Sequence, residues 1–338
     1  MVMTERGVMQ VSVVVIGRNE GERLTRCLSS VRAAQGGQAA ELIYVDSAST
    51  DDSLQRARSL CDQVITVQPE RPCAAIGRNA GWRQASGEFV LFLDGDTILH
   101  PDFIEHALLA MASRDIAAVW GHRREIDPGQ SVWTGVMDLD WVYAPGETTY
   151  CGGDVLMRRS VLQQLNGFDE TLIAGEEPEL CRRIRAAGFC ILHIDAPMTG
   201  HDLAIRQFSQ YWTRAVRAGH AYAEIANRFR GSADPLWSDV VRGNARKGLF
   251  WSLWLLALCV SPLIQPVLLL PVLAVLALAS VRTALKVRWK QRIAQCSSLR
   301  LLAYGVHSHL QHVPILWGQL RYRVGLWQGR QSRLMEYK

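Results

Sequence analysis

The chain has 338 residues, 49% hydrophobic and 20% charged, with a formal net charge of +5. Its length suggests two domains, or one domain with an extension, and the apolar content is ample for a core. The charge is uneven: residues 282–338 carry eleven Lys or Arg and one acidic residue, Glu336, which leaves residues 1–281 at −5. A basic tail beside an apolar stretch points to a membrane surface with anionic lipids. No nucleic-acid motif accompanies the charge, so no nucleic-acid partner is expected. The eight cysteines are scattered singly with no Cys-x-x-Cys pair. That leaves a zinc site of that type unsupported and suits free thiols in a reducing cytosol.

In chain order, Val11–Ile16 is an apolar run too short for a signal peptide and reads as a strand. Gly21–Ala34 places Leu24, Cys27, Leu28 and Val31 at helical spacing. Leu42–Val45 is a second strand ending at Asp46. Asp51–Cys61 is a helix with Ser49, Thr50 and Asp51 as candidate caps. Val64–Val67 is a strand, Ala74–Ala85 a helix, Phe89–Leu93 a strand and Ala117–Trp120 another. Pro101 opens a helix through Met111. Strands alternating with helices predict an α/β domain with a mainly parallel sheet flanked by helices, and right-handed crossovers. Residues 121–150 are irregular and aromatic. Trp133, Trp141 and Tyr143 there suit either sugar or lipid stacking or core packing. Val155–Leu165 and Pro178–Ala187 read as helices, and Gly231-Ser-Ala-Asp-Pro235 as a loop.

The expected organisation is a catalytic domain over 1–235, a linker over 236–248, an apolar segment over 249–281 and a basic tail over 282–338. Leu249–Val281 would be roughly 50 Å long as one helix. It is short of the 40 or so residues that two full spans need. Pro262, Gln265 and Pro266 interrupt its middle. Arg242, Arg246 and Lys247 precede it, and Arg282, Lys286 and Arg288 follow. Positive flanks prefer the cytoplasmic side. A helical hairpin or re-entrant loop keeps both there, whereas a single tilted span does not. Residues 299–327 suit a helix in the membrane interface or one packed on protein.

Three acidic clusters carry the chemistry. Phe89-Val-Leu-Phe-Leu-Asp94-Gly-Asp96 runs an apolar strand into two carboxylates. Ligands bind beyond the carboxyl ends of parallel strands. Two hard oxygen ligands there suit Mg²⁺ or Mn²⁺ bridging to phosphates, while an ordinary polar turn is the bland alternative. Asp46 also ends a strand, ahead of Ser-Ala-Ser-Thr-Asp51. It can hold a base or ribose, or cap a helix. In Gly175-Glu176-Glu177-Pro178-Glu179, Pro178 predicts the first helical position and Glu177 the N-cap. The adjacent carboxylates are caps or a general base.

Together with Gly17-Arg18-Asn19-Glu20, Gly77-Arg78-Asn79-Ala80-Gly81, Cys151-Gly-Gly-Asp154, Gly167-Phe-Asp-Glu170 and Arg183, these motifs resemble glycosyltransferase family 2 over roughly Val11–His201. The resemblance implies a GT-A fold and an inverting, nucleotide-sugar-dependent transferase with Mg²⁺ or Mn²⁺ as cofactor. It implies that Asp46 contacts the base beside the Arg18–Glu20 loop, and that Arg78 lines the donor site. Asp96 becomes the direct metal ligand and Asp94 its partner on ribose or metal. His201 falls where some members carry a metal ligand, and is otherwise structural. Glu177 falls at the catalytic base, where Asp is more usual, with Glu176 as the alternative. The implied partners are a nucleotide-diphosphate sugar and a lipid-linked or glycan acceptor. The implied location is the cytoplasmic membrane, with the catalytic domain in the cytosol. A nucleotidyltransferase and a non-catalytic membrane-anchored nucleotide-sugar-binding protein are the rival readings.

Overall fold

The apolar runs at Val11, Leu42 and Phe89 form the parallel heart of a mixed sheet, because both faces of each strand are covered. The computed structural model describes residues 11–34 and 39–330. Its elements begin β1 (Val11–Gly17), α1 (Glu22–Ala34), β2 (Ala39–Asp46), α2 (Ser53–Arg58), β3 (Gln63–Thr66) and α3 (Ala74–Gln84). They continue as β4 (Phe89–Asp94), β5 (Thr97–Leu99), α4 (Phe103–Ala110), β6 (Ile116–Glu125) and α5 (Val132–Asp138). Then come β7 (Gly146–Glu147), β8 (Val155–Arg158), α6 (Arg159–Gln164), α7 (Glu176–Ala186) and β9 (Cys190–His201). Among the described residues the sheet has nine strands in the order β3-β2-β1-β4-β8-β6-β9-β5, with β7 also on β9. β8 runs antiparallel to β4 and β6, while β9 runs parallel to β6.

Two local expectations need correction. Val155–Leu165 is a strand followed by a helix, not one helix. Four apolar residues fit either periodicity, and pairing with β4 and β6 decides for a strand. Helix α7 starts at Glu176 with Gly175 as N-cap (φ 89°), so Pro178 is its third residue and Glu177 lies inside the first turn. Every N–H of a first turn lacks an intrahelical acceptor, so Pro marks the turn rather than its first position.

The chain divides into two units. Residues 11–126 and 143–203 form the first, and residues 127–142 and 204–330 the second. The expected boundary at 235 falls inside the second unit, because α8 (Phe208–Arg228) groups with the helices that follow it. Those are α9 (Ser238–Ile264), α10 (Leu269–Lys286), α11 (Arg288–Ala294), α12 (Ser298–Leu310) and α13 (His312–Trp327). Residues 238–248, expected as linker, are the first turns of α9. Ser238–Ile264 and Pro266–Lys286 are long and apolar enough to cross a membrane by length and composition. They break at Gln265–Pro266, and the Trp254 indole donates to the Val272 carbonyl at 2.8 Å. The second helix therefore folds back along the first, as a hairpin.

Helix α13 packs on protein. A Cβ at Gly219 of α8 would overlap the Ile315 carbonyl, and one at Gly318 of α13 would overlap the Val216 carbonyl. Small residues at both sides of that crossing bring the two backbones into contact. The last eight residues of the basic tail lie outside the described residues.

Candidate active site

Parallel register places three strand ends side by side. Gly17 pairs with Asp46 and Ile16 with Asp94, so β2, β1 and β4 end on one edge of the first unit. Chain order reverses at β1, the point where open α/β sheets take ligands.

Asp46 is buried, and both of its oxygens are engaged. The Tyr44 hydroxyl donates to one at 3.0 Å and the Ser49 N–H to the other at 2.9 Å. Burial first, then the Asp46 charge, pushes the Tyr44 phenol well above its ordinary range, so it stays a donor. The Arg18–Gly21 loop is tied to the Ser47–Ser53 loop. Asn19 donates its N–H to Ser49 Oγ at 2.9 Å and accepts from the Thr50 N–H at 2.8 Å. Ser53 Oγ accepts from the N–H groups of Glu20 and Gly21 at 3.0 and 2.9 Å. Asn19 (φ 57°) and Ala48 (φ 60°) are left-handed. A left-handed alanine costs about 1–2 kcal/mol, which these cross-loop bonds offset. Glu20 pairs with Arg23 of α1 at 3.0 Å.

Arg78 is the centre of the site. Gly77 and Gly81 lie four apart on α3, and a Cβ at Gly81 would overlap Val14 of β1. The helix therefore seats close on the sheet and carries Arg78 into the interior. Its guanidinium meets Glu176 at 2.7 Å, Asp94 at 3.0 Å and Glu177 at 3.1 Å. Burial works against the charge, but Glu177, Asp94 and Glu176 outweigh it and hold the guanidinium pKa above its ordinary value. The predicted donor and base motifs are thus joined through one cation. Asn79 fixes the next loop: its amide accepts from the Phe168 N–H at 2.9 Å and donates to the Phe168 carbonyl and Glu170, each at 2.8 Å. Gly167 (φ 65°) has no room for a Cβ beside Asn79, so that turn requires glycine.

Of the two candidate bases, Glu176 is 5% exposed and faces Arg78 from inside, whereas Glu177 is 19% exposed. Gly153 approaches Arg78, Asp94 and Glu177 closely, so that position requires glycine. A Cβ there would overlap Arg78 and lie 3.1 Å from Asp94 Oδ2 and 3.2 Å from Glu177 Oε1.

Asp96 sits apart from this clamp. Thr97 and Glu125 both pair with His201 across β9, which brings three side chains together. His201 Nε2 lies 3.4 Å from Asp96 Oδ2, and Nδ1 lies 3.2 Å from Glu125 Oε1. A carboxylate on Nδ1 fixes the tautomer that leaves Nε2 able to ligate. Carboxylate plus imidazole with a second carboxylate behind it is a donor set that fits Mg²⁺ or Mn²⁺ completed by phosphate and water. Among the described residues no three His, Cys, Asp or Glu side chains group to hold an ion by themselves. Asp94, the other expected ligand, is turned to Arg78.

Sequence reasoning missed Glu125 and Arg123, and the roles of Gly153 and Asp154. Asp154 is buried and accepts from the Asp94 N–H at 3.0 Å and the Thr199 hydroxyl at 2.8 Å. Burial, then the Asp94 charge, raises its pKa, and Arg123 at 3.6 Å opposes the rise. The available signal was charge at the end of a strand otherwise buried: Arg123 and Glu125 are two apart on β6 and so share a face.

Residues 12–165 match the profile of glycosyl transferase family 2, and residues 89–284, more than half of the chain, match that of glycosyl transferase family group 2. The pre-mycofactocin glycosyltransferase of Mycobacterium tuberculosis is 26% identical over 254 residues, covering 70% of this chain and 51% of that protein. The chain thus spans about half the length of that relative. The O-antigen chain rhamnosyltransferase WbaN of Salmonella anatum is 27% identical over 202 residues, covering 54% of this chain and 64% of that protein. The mannosyltransferase PcManGT of Pyrobaculum calidifontis, solved with GDP-Man and Mn²⁺, has a TM-score of 0.58 at 20% identity, over 94% of this chain and 87% of that one. That likeness bears out the GT-A-type fold, and the profiles settle membership: this chain belongs to the family 2 group of glycosyl transferases.

Proposed function

We propose that the protein transfers a sugar from a nucleotide-diphosphate sugar to an acceptor hydroxyl, with inversion at the anomeric carbon. The observation that carries this reading is the Arg78 clamp, which joins Asp94 to Glu176 and Glu177 in one buried cluster. Asp46 and the locked Arg18–Gly21 loop bind the nucleoside. Asp96 and His201 would hold a Mg²⁺ or Mn²⁺, which would supply charge neutralisation at the diphosphate. Glu177 takes the proton from the acceptor hydroxyl as its oxygen bonds to the anomeric carbon. The bond from that carbon to the diphosphate breaks, and the electron pair leaves with the nucleotide. One displacement inverts the centre. The PcManGT complex with GDP-Man and Mn²⁺ supports the donor class and the metal. Assembly of Asp94, Glu176 and Glu177 around Arg78 favours a catalyst over a binding-only protein, and the family profiles favour sugar transfer over nucleotidyl transfer.

The acceptor is lipid-linked or a glycan, met at the cytoplasmic membrane face. The hairpin supports this. Its tip residues Leu263 and Ile264 are 84% and 72% exposed, and its apolar arms end in Arg and Lys. The two helices turn back at Gln265–Pro266, so the apolar tip enters the bilayer while both basic ends stay on one side of it. Both basic ends then meet anionic headgroups on the cytosolic side. Replacing Leu263 and Ile264 together by Asp is expected to move the protein from vesicles to the supernatant in a flotation assay. Unchanged flotation would refute insertion by the tip.

The reading as a whole is tested by a donor panel. Purified protein with Mn²⁺ or Mg²⁺ is screened for nucleotide release from each sugar nucleotide, and the product of the active donor is examined by NMR. An inverted anomer is expected. A retained anomer would refute the single displacement.

A further inference from the structure

Helix α13 is apolar on two opposite sides. Pro314, Ile315 and Gly318 share one side and are buried, and Gly318 there meets the Val216 backbone of α8. The other side carries Trp317, Leu320, Val324 and Trp327 at spacings of three, four and three residues, which makes one stripe along the helix. All four are exposed, Trp327 at 87%. Arg321 and Arg323 are exposed too, and helical geometry puts one on each edge of the stripe. Among the described residues nothing covers this face. A surface helix normally turns one apolar face inward, so a second one calls for a second partner.

The crossing of α13 with α9 points to that partner. A Cβ on Gly248 of α9 would overlap the His312 carbonyl and the Leu316 Cβ of α13. Gly248 directly follows Arg246 and Lys247 and opens the uncharged run that ends at Val281. α13 therefore meets α9 where the basic flank gives way to the apolar arm of the hairpin. The other arm is held at the matching level, since a Cβ at Gly305 of α12 would overlap the carbonyl of Ser280, one residue from the end of the run. With the hairpin inserted, that level is the headgroup layer. Trp317 follows Leu316, so the stripe starts at this crossing. Tryptophan favours that layer, and an arginine beside an apolar stripe lays its stem along it and offers its guanidinium to lipid phosphate. A second copy laid on the same stripe would gather four arginines, and α13 has no acidic residue to meet them.

We propose that α13 is an interfacial helix. Its inner face packs on α8 and α9, and Trp317, Leu320, Val324 and Trp327 lie in the headgroup–acyl boundary of an anionic bilayer, with Arg321 and Arg323 on lipid phosphates. This rests on the hairpin insertion proposed above and adds a second, linked membrane contact to it. Two linked contacts hold more firmly than either alone.

The test puts an environment-sensitive fluorescent amino acid in the full chain in place of Val324, and in a separate protein in place of Leu263 at the hairpin tip. Vesicles of mixed phosphatidylcholine and phosphatidylglycerol carry brominated acyl chains, which quench a fluorophore that they touch. Quenching at both positions is expected. Quenching at Leu263 with none at Val324 would overturn the inference while leaving the hairpin inserted. No quenching at Leu263 would refute the hairpin reading and remove the basis of the inference. A Val324 probe already shielded before vesicles are added, in a protein of doubled mass, would assign the stripe to a second copy instead. In a second arm, Arg321→Gln with Arg323→Gln is expected to weaken binding to the mixed vesicles about fivefold per arginine. Binding to pure phosphatidylcholine is expected to stay within about twofold, because the lost contacts belong to anionic lipid. Equal weakening on both lipids would show a structural role for the arginines and overturn their headgroup contact, and so would unchanged binding to both.

Discussion

Glu177→Gln is expected to bind Mn²⁺ and nucleoside diphosphate like the wild type, and to transfer sugar about 10²–10⁴-fold more slowly. The amide keeps the size of the side chain and removes the proton acceptor. Glu177 is the carboxylate of the pair that reaches solvent, at 19% exposure against 5% for Glu176. Glu176→Gln removes charge from the inner side of the Arg78 clamp, so its effect should show in donor affinity and melting temperature more than in the rate constant for transfer. Steady-state kinetics of both variants separate the roles. A dead Glu176→Gln beside an active Glu177→Gln would place the base one residue earlier.

Arg78→Met is expected to be the most damaging single change in the first unit. It strands Glu176, which is 4% exposed, beside Glu177 and Asp94 with no cation between them. Breaking a buried pair by removing one partner costs about 3–5 kcal/mol. The melting transition should fall by roughly 10 °C, and transfer should be lost even below the new midpoint. Arg78→Lys should recover part of the stability but little activity, since a compact ammonium cannot reproduce the guanidinium fork that meets three carboxylates. Calorimetry with an activity assay at low temperature checks both effects. A stable, active Arg78→Met variant would remove the clamp from the account.

What the sequence revealed and what it hid have physical reasons. Strands covered on both faces must be continuously apolar, so β1 and β4 stood out, and so did the carboxylates that end them. β9 did not. Its twelve residues mix Cys190, His193, Asp195, Pro197 and His201 with apolar side chains, and they lack the period of a half-buried strand. Yet β9 is what brings His201 to Asp96 and Glu125. Asp94 and Glu177 were each legible as acidic ends of elements, but nothing in their spacing of 83 positions shows that one guanidinium joins them. Gly153 was legible as part of a motif, while its reason, the close approach of its backbone to Arg78, Asp94 and Glu177, exists only in the folded chain. In the tail, the alternative of an interfacial helix and a packed one was undecidable from amphipathicity. The contact of Gly318 with the Val216 carbonyl shows that α13 packs on α8.

The central claim is metal-assisted transfer from a nucleotide sugar at the Asp94–Asp96 strand end. Its most direct test is nucleoside diphosphate release from the active donor, measured for wild type and Asp96→Ala with Mn²⁺ and with chelator. Release that needs the metal, and that is lost in a folded Asp96→Ala variant, is the predicted result. Release that persists in chelator, or in Asp96→Ala with Mn²⁺, would contradict it.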